Sequence, residues 1–210
     1  VTAEIIIKII AAFIAAYLLG SIPSAYIAGR LTKKIDIRSV GSHNMGAMNS
    51  FYNLGKGVGI MVLAADVLKG VAAVALADLV FNIPNLYMFI CGFIVVLGHN
   101  YPVWLKFKGG KGGATAIGAM IYFIPWAIPI GFTIFLIMIA ITRFPTLSYG
   151  IGMASFPFVA WILYTPDLIL YTALLVLVPF LSYIPRIKEM KAKGGSWKRV
   201  VKRKNLQDRF

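Results

Sequence analysis

The sequence predicts an all-α, polytopic membrane protein with about seven transmembrane helices. Three observations predict it. Of the 210 residues, 60% are hydrophobic and the mean hydropathy is +0.82, too apolar for a soluble domain. Apolar runs of spanning length recur along the chain between short polar intervals. The 21 Lys and Arg, against 7 Asp and Glu for a net charge of +14, gather in alternate intervals, as the cytoplasmic loops of membrane proteins do. In a soluble protein that charge would point to nucleic acid. Here the membrane accounts for it, and no nucleic-acid partner is expected.

The first run extends from about Ile5 to Gly29, long enough to cross a bilayer. Pro23 should kink it, and Gly20, Ser21, Ser24 and Ala25 suit close helix contact. The polar interval from Arg30 to Lys56 follows. Within it, Gly41 and Gly46 permit tight backbone geometry, and Ser42, His43, Asn44 and Asn49 supply hydrogen-bonding groups. The interleaved Met45, Ala47 and Met48 argue against a fully solvated loop. An interfacial or re-entrant segment lining a polar pocket is expected.

The second span, about Gly57 to Leu79, carries Asp66 and Lys69 on one face, with Asp66 roughly 14 Å into the helix. Opposite charges at that depth form a tolerated ion pair or face a functional cavity. The third span, about Leu86 to Leu105, ends with His99 and Asn100 before Pro102. His99 is either a hydrogen-bonding helix terminus or an acid–base group. Cys91, the one cysteine, lies in this run and reads as inert packing.

Lys106 to Gly113 then packs three lysines and four glycines into eight residues. Glycine lets backbone N–H groups converge on an anion, and a helix starting near Ala114 adds its positive dipole end. Lys108 and Lys111 add full charges. The expected feature is a phosphate cradle from Lys108 through Gly109, Gly110, Lys111 and Gly112 to Thr115, although a plain inter-helix turn is the alternative. The spacing does not make a P-loop.

Ala114 to Ile141 is split by Pro125 and Pro129, so a short helix to about Ile124 and another from Trp126 to Thr142 are expected. A sixth span covers about Thr146 to Tyr164, and a seventh Leu168 to Ile184. From Arg186 onward the chain has ten Lys and Arg and two acidic residues. That tail is read as solvated and topology-fixing, with attraction to anionic lipid as an addition. The chain divides into one transmembrane domain over 1–185 and a basic cytoplasmic tail over 186–210. With seven spans, 30–56, 106–113, Arg143 and the tail fall on one side, and 81–85, 125 and 165–167, which hold no Lys or Arg, fall on the other. The positive-inside rule then puts the N-terminus outside and both site segments at the cytoplasmic face.

Five stretches taken together resemble the bacterial acyl-phosphate:glycerol-3-phosphate acyltransferases. They are Gly20-Ser21-Ile22-Pro23, Asp36 to Asn49, Asp66-Val67-Leu68-Lys69-Gly70, Gly98-His99-Asn100-Tyr101-Pro102 and Phe107 to Thr115. The resemblance implies a seven-span enzyme of a bacterial inner membrane. It would move a fatty acyl group from acyl phosphate to the 1-hydroxyl of glycerol 3-phosphate, giving lysophosphatidate and phosphate without metal or cofactor. It implies that Lys108 to Gly112 hold the acyl phosphate and that Ser42 and Asn44 line the site. Lys111 and Lys108 would neutralise the departing phosphate. Arg38 and Lys69 are candidates for the acceptor's anionic group, and Asp66 would orient Lys69. The hydroxyl proton would go to the donor phosphate, His99 or His43.

Departures from the family pattern fall on the acceptor side. His43 stands where the family has Gly, Met48 where it has Thr, and Tyr52 where it has Arg. The family's C-terminal Asn, His and Asn-Ile-x-Arg-Leu run is absent. A different acyl acceptor is therefore one alternative; a non-catalytic anion or lipid-phosphate carrier and a partner protein are the others.

Overall fold

A computed structural model describes residues 2–194 and 196–201 of the chain. It is all-helical among the described residues and divides into two compact units, one ending at Tyr122 and the other beginning at Phe123.

In the first unit, α1 (Ala3–Ser21) and α2 (Ser24–Lys33) form the first apolar run. The break falls at Ile22–Pro23, because proline brings no N–H to the ladder and its ring excludes the preceding turn. A 3-10 turn at Ile37–Ser39, an irregular stretch to Gly46 and α3 (Ala47–Asn53) fill the polar interval. Met45 and Ile37 are buried against Ala25, Leu54 and Val62, with Leu105 packed alongside, whereas Met48 is exposed. The methionines thus divide: one anchors the interval and the other does not. Helix α4 (Lys56–Leu79), α5 (Asn85–Asn100), a 3-10 turn at Val103–Leu105 and α6 (Gly113–Ile121) complete the unit.

Two helix crossings fix the frame of the site. α1 passes against α5, and α4 against α6. At the second crossing, a methyl on Gly70 would overlap the Thr115 carbonyl and one on Gly118 would overlap the Val67 carbonyl. The backbones meet there without intervening side chains, the small-residue packing that replaces the hydrophobic effect inside lipid. The result ties the start of α6 to the middle of α4.

The second unit consists of α7 (Ala127–Thr142), α8 (Pro145–Ala154), α9 (Phe156–Leu163), α10 (Pro166–Gly194) and α11 (Trp197–Val201). The sequence reads 146–164 as one span. Pro145–Leu163 keeps the length of one span, but its helix is interrupted at Ser155, where Pro157 at the start of α9 cannot donate back into α8. α10 carries Pro179 and Pro185 inside it and runs on to Gly194, past the expected end at Ile184. α11 returns so that Val200 is buried with Phe144 and Met190, and Lys191 lies over the Trp197 ring. The part of the tail expected to be solvated is therefore helical to Gly194 and again over Trp197–Val201, with Met190 and Val200 buried. The rest of it, 202–210, lies outside the described residues.

Five segments are long and apolar enough to cross a membrane among the described residues: Ala3–Lys33, Lys56–Leu79, Asn85–Leu105, Pro145–Leu163 and Pro166–Ala192, with Ala127–Thr142 a shorter apolar helix.

Candidate active site

Every candidate site residue lies in the first unit, supplied by the α1–α2 break, the interval 34–53, mid-α4, the end of α5, the loop after it and the start of α6.

The glycine–lysine loop leaves α5 through Pro102 and turns back at Lys106 and Phe107. Both residues hold left-handed backbone, φ 54° and 59°, an uncommon state for a bulky aromatic. The turn lets Gly109 N–H donate to the Asn100 carbonyl and Gly110 N–H to the His99 carbonyl, each at 3.0 Å. These bonds satisfy carbonyls orphaned at the end of α5. Two amides expected to cradle an anion are thus spent within the protein. The donors left to a ligand are those of the first turn of α6, Gly113, Ala114 and Thr115, which have no intrahelical acceptor. Gly112 caps that helix with φ +79°. The Thr115 hydroxyl is buried there, with no protein partner among the described residues. Lys108 is exposed and Lys111 half-buried.

Asn49 organises the polar interval from beneath. It is 2% exposed, and its amide nitrogen lies 2.9, 3.0 and 3.0 Å from the carbonyls of Ile37, Val40 and Asn44. Its oxygen accepts from Ser42 N–H at 3.0 Å and from the Asn53 amide at 2.8 Å. Above it, Ser42 and Asn44 are half-buried and His43 is exposed. His43 adopts φ 56°, and its Nδ1 is 3.0 Å from the Arg38 carbonyl. Arg38 is braced by Asp36 through Nε and Nη2, at 3.0 and 2.7 Å, and stacks over Tyr26. Hydrogen bonding from Arg38 holds the Asp36 carboxyl below its ordinary value of 3.8. Arg38 Nη1 donates to the Lys108 carbonyl at 3.2 Å, joining the interval to the glycine loop.

Asp66, Lys69 and His99 form a buried cluster, 2%, 6% and 4% exposed. Lys69 Nζ is 2.9 Å from Asp66 Oδ1, 2.8 Å from His99 Nδ1 and 3.1 Å from the Ile22 carbonyl. Ser24 donates to Asp66 Oδ1 at 3.0 Å. The other edge of the His99 ring faces the loop: a methyl on Gly110 would overlap Nε2 and crowd the Met45 carbonyl.

The structure therefore brings the expected residues together in two layers. Lys108, Lys111, Arg38, Ser42, His43 and Asn44 occupy an accessible layer. Asn49, Asp66, Lys69, His99 and Thr115 lie beneath it, with the backbones of Gly109, Gly110 and Gly112 between. Lys69 and Asp66 serve His99 in this arrangement and do not reach open space. Sequence reasoning missed Ser24 and the Ile22 carbonyl. The signal was present in Pro23, since a helix broken by proline leaves carbonyls without their usual helical donor; that of Ile22 is shared between Ser24 N–H and Lys69, each at 3.1 Å.

A helical protein with several membrane-length apolar helices and buried charges under a glycine–lysine loop is, by class, a polytopic membrane protein with a polar site among its helices. The chain belongs to the glycerol-3-phosphate acyltransferase family, whose profile it matches over residues 10–193. It is 54% identical to glycerol-3-phosphate acyltransferase 2 of Dehalococcoides mccartyi strain CBDB1, over 98% of this chain and 99% of that one. It is 39% identical to the glycerol-3-phosphate acyltransferase of Geobacillus kaustophilus, over 80% and 84%. The crystal structure of PlsY (YgiH), an integral membrane glycerol 3-phosphate acyltransferase, in its glycerol 3-phosphate form superposes with a TM-score of 0.80 at 30% identity, covering 96% of this chain and 95% of that one. The lysophosphatidic acid form gives 0.79.

Proposed function

We propose that this chain is a membrane glycerol-3-phosphate acyltransferase that uses acyl phosphate as its donor. The observation that carries the reading is the glycine–lysine loop, which holds Lys108 and Lys111 and leads through Gly112 into the first turn of α6, where the Thr115 hydroxyl is buried without a protein partner among the described residues. That is a site for a phosphate dianion. Acyl phosphate is a mixed anhydride with phosphate as its leaving group, so the protein must supply positioning and charge neutralisation. Lys111, Lys108 and the helix terminus do the second. Arg38, Ser42 and Asn44, joined to the loop through the Arg38–Lys108 bond, take the acceptor glycerol 3-phosphate. Its 1-hydroxyl oxygen attacks the acyl carbon and the bond to phosphate breaks, leaving lysophosphatidate and phosphate. The acyl chain lies among apolar helices in the lipid.

The same reading places the protein in a bacterial cytoplasmic membrane as a seven-span chain, counting α6 and α7 as short crossings. The N-terminus is then outside, and the site and the basic tail from 186 are at the cytoplasmic face. The distribution of Lys and Arg supports that orientation.

Purified protein incubated with acyl phosphate and glycerol 3-phosphate should release phosphate and form lysophosphatidate, identified by chromatography beside products from a panel of other acceptors. Lys111→Ala should lower phosphate release by about 10²-fold or more; full activity in that variant removes Lys111 from the mechanism. Binding of the anion without phosphate release would favour a carrier.

A further inference from the structure

The turn that leads from α5 into the glycine–lysine loop, Tyr101 to Phe107, presents bulky side chains outward. Trp104 and Phe107 are 62% and 58% exposed, and Tyr101 and Val103 beside them are exposed as well. Leu105 alone of these packs inward, against the cluster of Ile37 and Met45. Phe107 keeps its exposed place in left-handed backbone, φ 59°, a conformation unfavourable for a bulky aromatic. An aromatic held there against solvent gains nothing from the protein, so its partner lies outside the chain.

Two observations set the level of the turn. The Tyr17 hydroxyl donates to the Tyr101 carbonyl at 2.8 Å, and Tyr17 lies within the apolar run of α1, well short of Arg30, the next cation along the chain. The turn is therefore level with lipid-facing helix. Its backbone is also largely closed on itself, as proximity to lipid requires. The N–H of Tyr101 bonds the Leu97 carbonyl at 2.8 Å, and those of Leu105 and Phe107 share the Pro102 carbonyl at 3.1 and 3.0 Å.

The chemistry of the patch names its occupant. Indole and phenyl rings settle at the boundary between headgroups and acyl chains. Lys106, exposed between Trp104 and Phe107 in the sequence, can lay its stem on apolar surface and hold its charge at the lipid phosphates. A soluble partner would have to reach a patch level with an apolar helix.

We propose that the Tyr101–Phe107 turn is a seat for anionic phospholipid. Trp104 and Phe107 enter the leaflet that the site faces, and Lys106 pairs with a lipid phosphate. The seat fixes the glycine–lysine loop, which follows directly, at headgroup depth.

The test uses the full chain with Trp104 as its one tryptophan, Trp126, Trp161 and Trp197 being replaced by Phe, in vesicles of phosphatidylcholine and phosphatidylglycerol. Trp104 emission should be quenched by lipid brominated near the headgroup end of its chains, and more by brominated phosphatidylglycerol than by brominated phosphatidylcholine. Lys106→Gln should lower that preference about fivefold, the scale for one lysine at an anionic surface. Quenching by iodide present on both sides of the membrane, and not by bromine, overturns the membrane seat. Shielding from both quenchers overturns it too, and is the result expected if a second copy or another protein covers the turn. Equal quenching by the two lipids overturns the choice of an anionic one. If the three replacements unfold the chain, a bimane on Trp104→Cys in the Cys91→Ala background gives the same reading. Quenching needs no turnover, so it is read whether or not the protein transfers acyl groups.

Discussion

At the scale of single residues, the site depends on groups packed closely beneath or between its accessible side chains. Gly110 is one. A methyl there would overlap His99 Nε2 and crowd the Met45 carbonyl, whereas one on Gly57 would meet nothing within 4 Å. Gly110→Ala should lower phosphate release by about 10²-fold, the scale expected when reacting groups shift by about an ångström, and Gly57→Ala should leave it unchanged. Asn49 is another. Asn49→Asp keeps its size but sets an oxygen against three carbonyls; it should cost at least about 1–3 kcal/mol, read as a lower thermal-unfolding midpoint in detergent. The residue types at 41–49 marked this stretch as polar and tight. They could not say that Asn49 lies under the turn and His43 on it, because that depends on the turn folding round Asn49's side chain while Ile37 and Met45 are buried beside it.

At the scale of elements, the break between α1 and α2 and the charged face of α4 explain one another. Pro23 opens the helix, and Lys69 fills the opening through the Ile22 carbonyl while Ser24 caps Asp66. Removing one partner of such a pair leaves a buried charge uncompensated, a cost of about 3–5 kcal/mol. Asp66→Asn and Lys69→Met should each lower thermal stability on that scale. The double variant should recover part of it, because neither residual charge remains. The spacing of Asp66 and Lys69 was legible, since three residues apart is one helix face. Their third partner was not: His99 is thirty positions away, and helix-to-helix register inside lipid is set by which small residues meet, as at Gly70 and Gly118.

For the whole molecule, the prediction concerns sidedness. In a Cys91→Ala background, single cysteines at 44 and 111 should react with a membrane-impermeant thiol reagent from the same side, the cytoplasmic one. Labelling from opposite sides would separate the two halves of the site.

The sequence by itself determined the class of the protein, the positions of its long apolar helices, and the breaks at Pro23 and Pro125. These follow from local rules: length and polarity against the bilayer, proline's missing donor, and charge that collects on one face. Tertiary structure decided the rest. It spent the Gly109 and Gly110 amides on the end of α5, divided the expected residues between an accessible layer and a buried one, and buried His99 against Lys69 while leaving His43 exposed. These outcomes depend on how segments meet, from a loop folding back on the end of its own helix to Lys69 reaching His99 on another, and such contacts are fixed only once a specific donor faces a specific acceptor.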